Sequence, residues 1–131
     1  MKKTQKQLEK EFEDWLTIKV KEYSNLLNLN HWEIEVRHNK NLGENVGMST
    51  KFAGSAYLQA TIDWGDLVFS FWKDKNYKTL ETDVIHELIH ILLYPLSTLS
   101  YARFTTKPEV EEKIESTCDH LSIALHRILN K

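Results

Sequence analysis

One five-residue segment, His86-Glu87-Leu88-Ile89-His90, limits the possible folds of this chain more than any other. It has the form H-E-x-x-H and lies in a strongly apolar stretch with helical spacing. Histidines four residues apart lie on one face of an α-helix, about one turn apart, so both imidazoles can bind one metal ion. The glutamate between them lies where it can accept a proton from a metal-activated water. The segment therefore predicts a helix with a metal site.

The ends of this helix are also marked in the sequence. Thr79 is a candidate N-cap, and Glu81 and Asp83 place negative charge in the predicted first turn. Pro95 is expected to end the helix after Tyr94. Its apolar residues lie nearly all round, which predicts a buried helix that is too short and too polar to span a membrane. Since ionisable groups are rarely buried without a partner, a metal site is favoured over hydrogen-bonded core histidines and a buried ion pair.

A second helix near the end of the sequence can supply a third ligand. A catalytic zinc ion takes three protein ligands and keeps one position for water, so two histidines are not enough. The segment Thr106-Lys107-Pro108-Glu109 predicts a helix start with a capping box. In that helix Glu115 and Asp119 are four residues apart on one face. One carboxylate can bind the metal while the other accepts a hydrogen bond from a liganding histidine.

The H-E-L-I-H segment, followed by a helix with Glu115 and Asp119, resembles the gluzincin pattern of zinc metallopeptidases. It is most similar to the minigluzincins and to short zincin-like proteins encoded by bacteriophages. The resemblance covers roughly residues 30–130. It implies an α+β, zincin-like fold with Zn²⁺ as cofactor, with His86, His90 and Glu115 as metal ligands, Glu87 as general base and Asp119 as the partner of a liganding histidine.

The third ligand has competitors, because Glu111 and Glu112 lie on the same predicted helix. Glu115 is preferred, since only it has both an acidic residue four positions later and the apolar tail of the family pattern: Leu121, Ala124 and Leu125. A solvated helix face is the usual position of such charges. The donor that would stabilise an oxyanion stays open among Tyr94, Tyr101 and His120.

Upstream of the H-E-x-x-H segment, the sequence predicts a helix and about three strands. Apolar residues recur at helical spacing over residues 4–28, and apolar and charged residues alternate over 32–37. Residues 46–53 and 57–64 predict two further strands, and 67–72 are expected to form a strand or a buried loop. The predicted fold is α+β with a small mixed sheet.

The strand at residues 57–64 is expected to be the edge strand above the metal, because it is nearest in sequence to the metal-binding helix. An exposed edge there would bind a peptide by strand addition. The alternative is an inner strand paired on both sides, with residues 67–72 as one neighbour, because periodicity cannot order strands in a sheet.

Length and charge fit a small enzyme. A chain of 131 residues predicts a single domain over 1–131, and a net charge of −2 does not indicate a nucleic-acid partner. The single cysteine, Cys118, cannot form an internal disulfide and is expected to pack on the apolar side of the last helix. Residues 1–10 are polar and lysine-rich, without a secretory signal, which favours a cytoplasmic location in the producing cell or a phage-infected bacterial host.

These expectations give one leading function and two alternatives. The leading interpretation is a zinc-dependent peptidase acting on a peptide or protein substrate, with Glu87 as the general base. The first alternative is a non-catalytic zincin-fold protein that binds zinc and has a regulatory or interaction role. The second is an α+β interaction module without metal, which requires the H-E-x-x-H segment to be a coincidence. The sequence does not determine the substrate or the oligomeric state.

Overall fold

The computed structural model describes residues 2–54, 58–100 and 104–130, which form five helices and three strands. In chain order the elements are α1 (Gln5–Leu26), β1 (Glu33–His38), β2 (Met48–Gly54), β3 (Gln59–Trp64), α2 (Asp66–Lys73), α3 (Tyr77–Leu92), α4 (Tyr94–Ser100) and α5 (Lys107–Leu129). The architecture is α+β with a small mixed sheet, as predicted. None of these described helices has both the length and the apolarity needed to cross a membrane.

The sheet has the order β1-β3-β2, so β3 lies in its centre. β3 pairs in parallel with β1, where Ile62 lies opposite Val36, and antiparallel with β2, where Ile62 lies opposite Thr50. The prediction that residues 57–64 form the edge strand is therefore wrong; its first residue, Tyr57, lies outside the described residues. The physical reason is burial. Four of the six β3 residues are buried, and a central strand is shielded from solvent more fully than an edge strand.

The core forms where α1 and α3 pack against the sheet. Phe12 and Leu16 of α1 are fully buried, and the Phe12 ring meets the Trp64 ring edge-on with centroids 4.9 Å apart. Leu88 of α3 is buried in the same cluster, as are Trp32 and Trp64. Trp32 and Trp64 are therefore core residues.

Residues 67–72 lie in a helix, α2, and not in the strand or buried loop that their apolar character indicated. Val68 and Phe69 are buried, and the helix ends in a Schellman motif. In that motif the N–H of Lys75 donates to Trp72 O, and the N–H of Asn76 donates to Phe71 O. Short apolar runs do not distinguish a strand from a buried helix, and here the packing decided.

The same turn determines where α3 begins. Lys75 has a φ of 60°, which reverses the chain and makes Asn76 the N-cap of α3. Thr79 is therefore inside the helix and is not its N-cap, and the first turn contains no acidic residue. At the other end α3 stops at Leu92, and Pro95 is the second residue of α4, where its fixed φ and missing N–H are tolerated.

The last helix, α5, packs against α4 and the end of α1. Thr106 is its N-cap, as predicted, and accepts a hydrogen bond from the Glu109 N–H at 3.4 Å; the return bond from the Thr106 N–H to the Glu109 side chain, which would complete the predicted capping box, is not found among the described residues. His120 Nε2 donates to Leu27 O of the α1 C-cap at 2.8 Å. Cys118 is exposed, so the expectation that it packs is wrong: this part of α5 is covered along a narrow line that contains Thr117 and Ala124.

Candidate metal centre

The helical register of α3 separates a core face from a polar face. Val84, Leu88 and Ile91 are fully buried, whereas His86 and His90 are exposed. Glu87 lies at the border of the two faces and is only 5% exposed. The helix is therefore amphipathic and not buried all round, because no described element covers the side that contains the histidines.

The two histidines have the geometry of a pair of metal ligands. Their Nε2 atoms are 3.2 Å apart, and their ring planes are inclined at 74°. Two nitrogens bound at 2.0–2.1 Å in a tetrahedral zinc site are separated by about 3.3 Å. One ligand atom from each of His86, Glu87 and His90 lies within 4.8 Å of the others. The two imidazoles could therefore bind one metal ion together.

Glu87 is held by a side chain of the neighbouring strand. Thr50 of β2 donates a hydrogen bond from Oγ1 to Glu87 Oε1 at 3.2 Å, and the same oxygen lies 3.4 Å from the Glu87 backbone O. Burial raises the pKa of the Glu87 carboxyl above its usual range, whereas the Thr50 hydrogen bond opposes that rise. The carboxylate is thus fixed beside the histidines by a donor that favours its charged form.

Two adjoining clefts lie between β2 and α3. One has a volume of about 450 Å³, and its lining includes Gly47, Asp83, His86 and Glu87. The other has a volume of about 330 Å³ and is lined by Met48, Ser49, Thr50, Phe52, His86, Glu87 and His90. Because β2 pairs only with β3 among the described strands, its outer edge is the sheet edge next to the histidines.

Sequence reasoning missed three residues of this site. Thr50 gave no sequence signal, since its role depends on β2 packing against α3. Gly47, just before β2, allows the chain to approach α2 closely, because an added Cβ would lie 2.9 Å from Val68 Cγ1. Asp83 precedes His86 by three residues, so helical spacing could have placed both on one face. Burial raises the Asp83 pKa, and the His86 imidazole opposes the rise.

Glu115 and Asp119 are not brought to the histidines. Both are exposed on α5, as are Glu111 and Glu112. Within residues 2–54, 58–100 and 104–130, the group of histidine, cysteine and acidic side chains that could hold a metal ion consists of His86, Glu87 and His90. The assignment of Glu115 as the third ligand therefore stays a prediction.

The candidate oxyanion donors are also dispersed. Tyr94 stacks on Phe52 with ring centroids 4.0 Å apart, and Phe52 lines the cleft beside His90. His120 donates a hydrogen bond to Leu27 O at the end of α1. Tyr101 lies outside the described residues. Of the two described candidates, Tyr94 contacts Phe52, which lines the cleft that contains His86, Glu87 and His90.

No family model, curated protein or solved structure matches the chain. The candidate metal centre therefore rests on the residues of this chain: the histidine pair of α3, the buried Glu87 and the Thr50 hydroxyl that donates to it.

Proposed function

We propose that this protein is a zinc-dependent peptidase of the gluzincin type. The observation that carries the proposal is the 3.2 Å separation of the His86 and His90 Nε2 atoms, with the Glu87 carboxylate in the same group. A bound zinc ion would polarise a water molecule and the carbonyl of the scissile peptide bond. Glu87 would accept the proton of the attacking water and transfer it to the amine that leaves when the peptide C–N bond breaks.

Glu87 suits the role of base because its position is fixed before a substrate binds. Its side chain is buried, and Thr50 orients one carboxylate oxygen from the sheet side. The hydrogen bond also favours the ionised carboxylate, which is the form that accepts a proton. A base held in this way loses little free energy to reorganisation during the reaction.

The third ligand in this proposal is Glu115, which requires α5 to lie against α3. Exposed apolar surface on both helices supports that arrangement. Ile89 lies between the two histidines and is 41% exposed, and α5 leaves one apolar stripe largely in solvent: Ile114, Leu121, Leu125 and Ile128. Packing the stripe on α3 would cover both surfaces, and zinc binding would favour that position by mass action. Asp119 would then accept the second N–H of a liganding histidine.

The substrate in this proposal is an extended peptide beside β2. The outer edge of β2 adjoins the cleft that contains His86, Glu87 and His90. A peptide that adds to this edge as a strand would pass its backbone over the histidine pair. Main-chain hydrogen bonds would supply most of the binding, so we expect low selectivity for side chains.

A non-catalytic zinc-binding protein with a regulatory or interaction role is the second candidate. The exposed position of Glu115 on α5 favours it, because the group found near the histidines contains Glu87 as its third member. In that case Glu87 would be a metal ligand and not a base. The two roles predict different responses to the loss of its charge.

Glu87→Gln separates the two candidates. If Glu87 is the base, the variant keeps its zinc, and its rate of peptide hydrolysis falls about 10²–10⁴-fold. The zinc content is measured by elemental mass spectrometry. If Glu87 is a ligand, the variant loses its zinc and also any hydrolytic activity. Glu81→Gln is the matched control on the same helix, and it should change neither property. Zinc-loaded wild-type protein that hydrolyses nothing in a broad peptide library would contradict the peptidase proposal.

A further inference from the structure

A cleft of about 260 Å³ lies between α1 and β1, at the opposite edge of the sheet from the histidines. Its walls are mostly apolar, and its lining consists of Thr17, Val20, Lys21, Ser24, Leu29, Asn30, Trp32, Ile34 and Val36. No carboxylate lies in the lining, and among the described residues Lys21 has no ion-pair partner. The cleft is therefore an apolar depression with one unpaired positive charge.

β1, which borders this cleft, has backbone groups with no hydrogen-bond partner in the part of the chain that the structure describes. The N–H of Glu33 donates to Leu58 O at 2.9 Å, and the N–H of Asn39 donates to Trp64 O at 2.8 Å, so odd-numbered residues bond towards β3. In a parallel pair the bonds come from alternate residues, which turns the N–H and C=O of Ile34 and Val36 outward. The same two residues line the cleft, so free edge and apolar pocket coincide.

We propose that β1 and this cleft bind an extended peptide segment of another protein. The segment pairs as a strand with the outward N–H and C=O groups of Ile34 and Val36. Every second side chain then faces α1, which places an apolar residue in the cleft and an acidic residue near Lys21. Ser24 is 7% exposed, and its hydroxyl has no partner among the described residues, so it can pair with a polar atom of the entering chain.

Charge favours an acidic peptide over a second copy of this chain. Symmetric antiparallel pairing of two β1 strands leaves Lys21 without an acidic partner, because the lining of each cleft contains none. An acidic peptide supplies the missing charge. This surface lies at the edge opposite β2, so the proposal does not depend on the proposed peptidase activity.

The probe is the blocked peptide acetyl-Thr-Val-Thr-Asp-Thr-Val-Thr-amide, added to the Glu87→Gln protein so that the peptide stays intact. Its valines and aspartate share one face of a strand. We expect hydrogen exchange at the Ile34 and Val36 amides to slow about tenfold or more. The Glu35 and Arg37 amides point towards β3 and should be slow already. These alternate amides are an internal control.

Two pairs of variants test the contacts. Lys21→Glu should weaken the peptide affinity about three- to tenfold, while Lys6→Glu, elsewhere on α1, should not change it. Val36→Pro removes an outward N–H without removing a β1–β3 hydrogen bond, so it should weaken the peptide affinity. Val36→Ala keeps that N–H and is its control. Replacing the aspartate of the probe with asparagine should weaken binding as Lys21→Glu does.

Three results would overturn the proposal. One is unchanged exchange at Ile34 and Val36 with the peptide at millimolar concentration. Another is protection confined to residues 48–54, which would place the peptide at the β2 edge. The third is protection at Ile34 and Val36 that appears without peptide and grows with protein concentration, which would make a second copy the occupant.

Discussion

Thr50 and Glu87 join the edge strand β2 to the helix that contains both histidines. The Thr50 hydroxyl donates to Glu87 Oε1 at 3.2 Å and also lies near the Glu87 backbone oxygen. One side chain therefore links β2 to α3 and orients the Glu87 carboxylate. A buried carboxylate without such a donor would be held less firmly, since an unsatisfied buried acceptor is costly.

Thr50→Val should lower kcat/KM for peptide hydrolysis about 10- to 100-fold, because a hydrogen bond to a charged group contributes about 1.5–3 kcal/mol. The variant keeps the size of the side chain and removes the donor. Thr50→Ser keeps the hydroxyl and should retain most activity. Zinc content should be unchanged in both variants. Wild-type activity in Thr50→Val would show that the hydrogen bond does not serve catalysis.

The metal ligands can be assigned by competition with a chelator. His90→Ala should abolish zinc binding, because it removes half of the nitrogen pair. Glu115→Ala should weaken binding strongly if α5 supplies the third ligand. Glu111→Ala, one turn earlier on α5, is the control and should bind zinc nearly as the wild type does. Loss of zinc in Glu111→Ala but not in Glu115→Ala would move the ligand by one turn.

Asp119→Ala should lower zinc affinity roughly 10- to 100-fold if Asp119 accepts a hydrogen bond from a liganding histidine. The free energy of unfolding of the metal-free protein, measured in urea, should hardly change, because Asp119 is exposed. Unchanged zinc affinity in the variant would remove this residue from the site.

The burial of α3 is tested by two neighbouring residues. Leu88→Ala should reduce the free energy of unfolding by about 2–5 kcal/mol, because Leu88 is fully buried. Ile89→Ala, at a side chain that is 41% exposed, should cost clearly less. Urea unfolding of both metal-free variants measures the difference. Equal losses would mean that Ile89 is buried in the core and that α3 is rotated about its own axis relative to this structure.

His31 should make the protein less stable in mild acid. Burial, and to a smaller extent the nearby His120 imidazole, lowers the pKa of His31 below its usual range. The unfolded chain then binds more protons, so the free energy of unfolding falls as pH drops below about 6.5. His31→Gln should show a smaller loss between pH 7.5 and pH 5.5 in urea unfolding. An identical loss in the variant would exclude this contribution.

The sequence by itself determined the features that depend on neighbouring residues. The alternation over residues 32–37 predicted a half-exposed strand, and Thr106 predicted the start of α5. The spacing of His86, Glu87 and His90 placed their side chains together, because four residues make about one helical turn. Each of these features is decided within one or two turns of chain, where local sterics and hydrogen bonds dominate.

Tertiary structure decided what depends on residues far apart in the chain. It placed β3 in the centre of the sheet and β2 at the edge beside the histidines, although β3 is closer in sequence to α3. It folded residues 67–72 as a helix and brought Thr50 to Glu87 across 37 positions. It also set α5 against α4 and α1. The physical reason is that strand order and helix docking depend on how apolar surfaces from distant parts of the chain are buried together, which no local pattern contains.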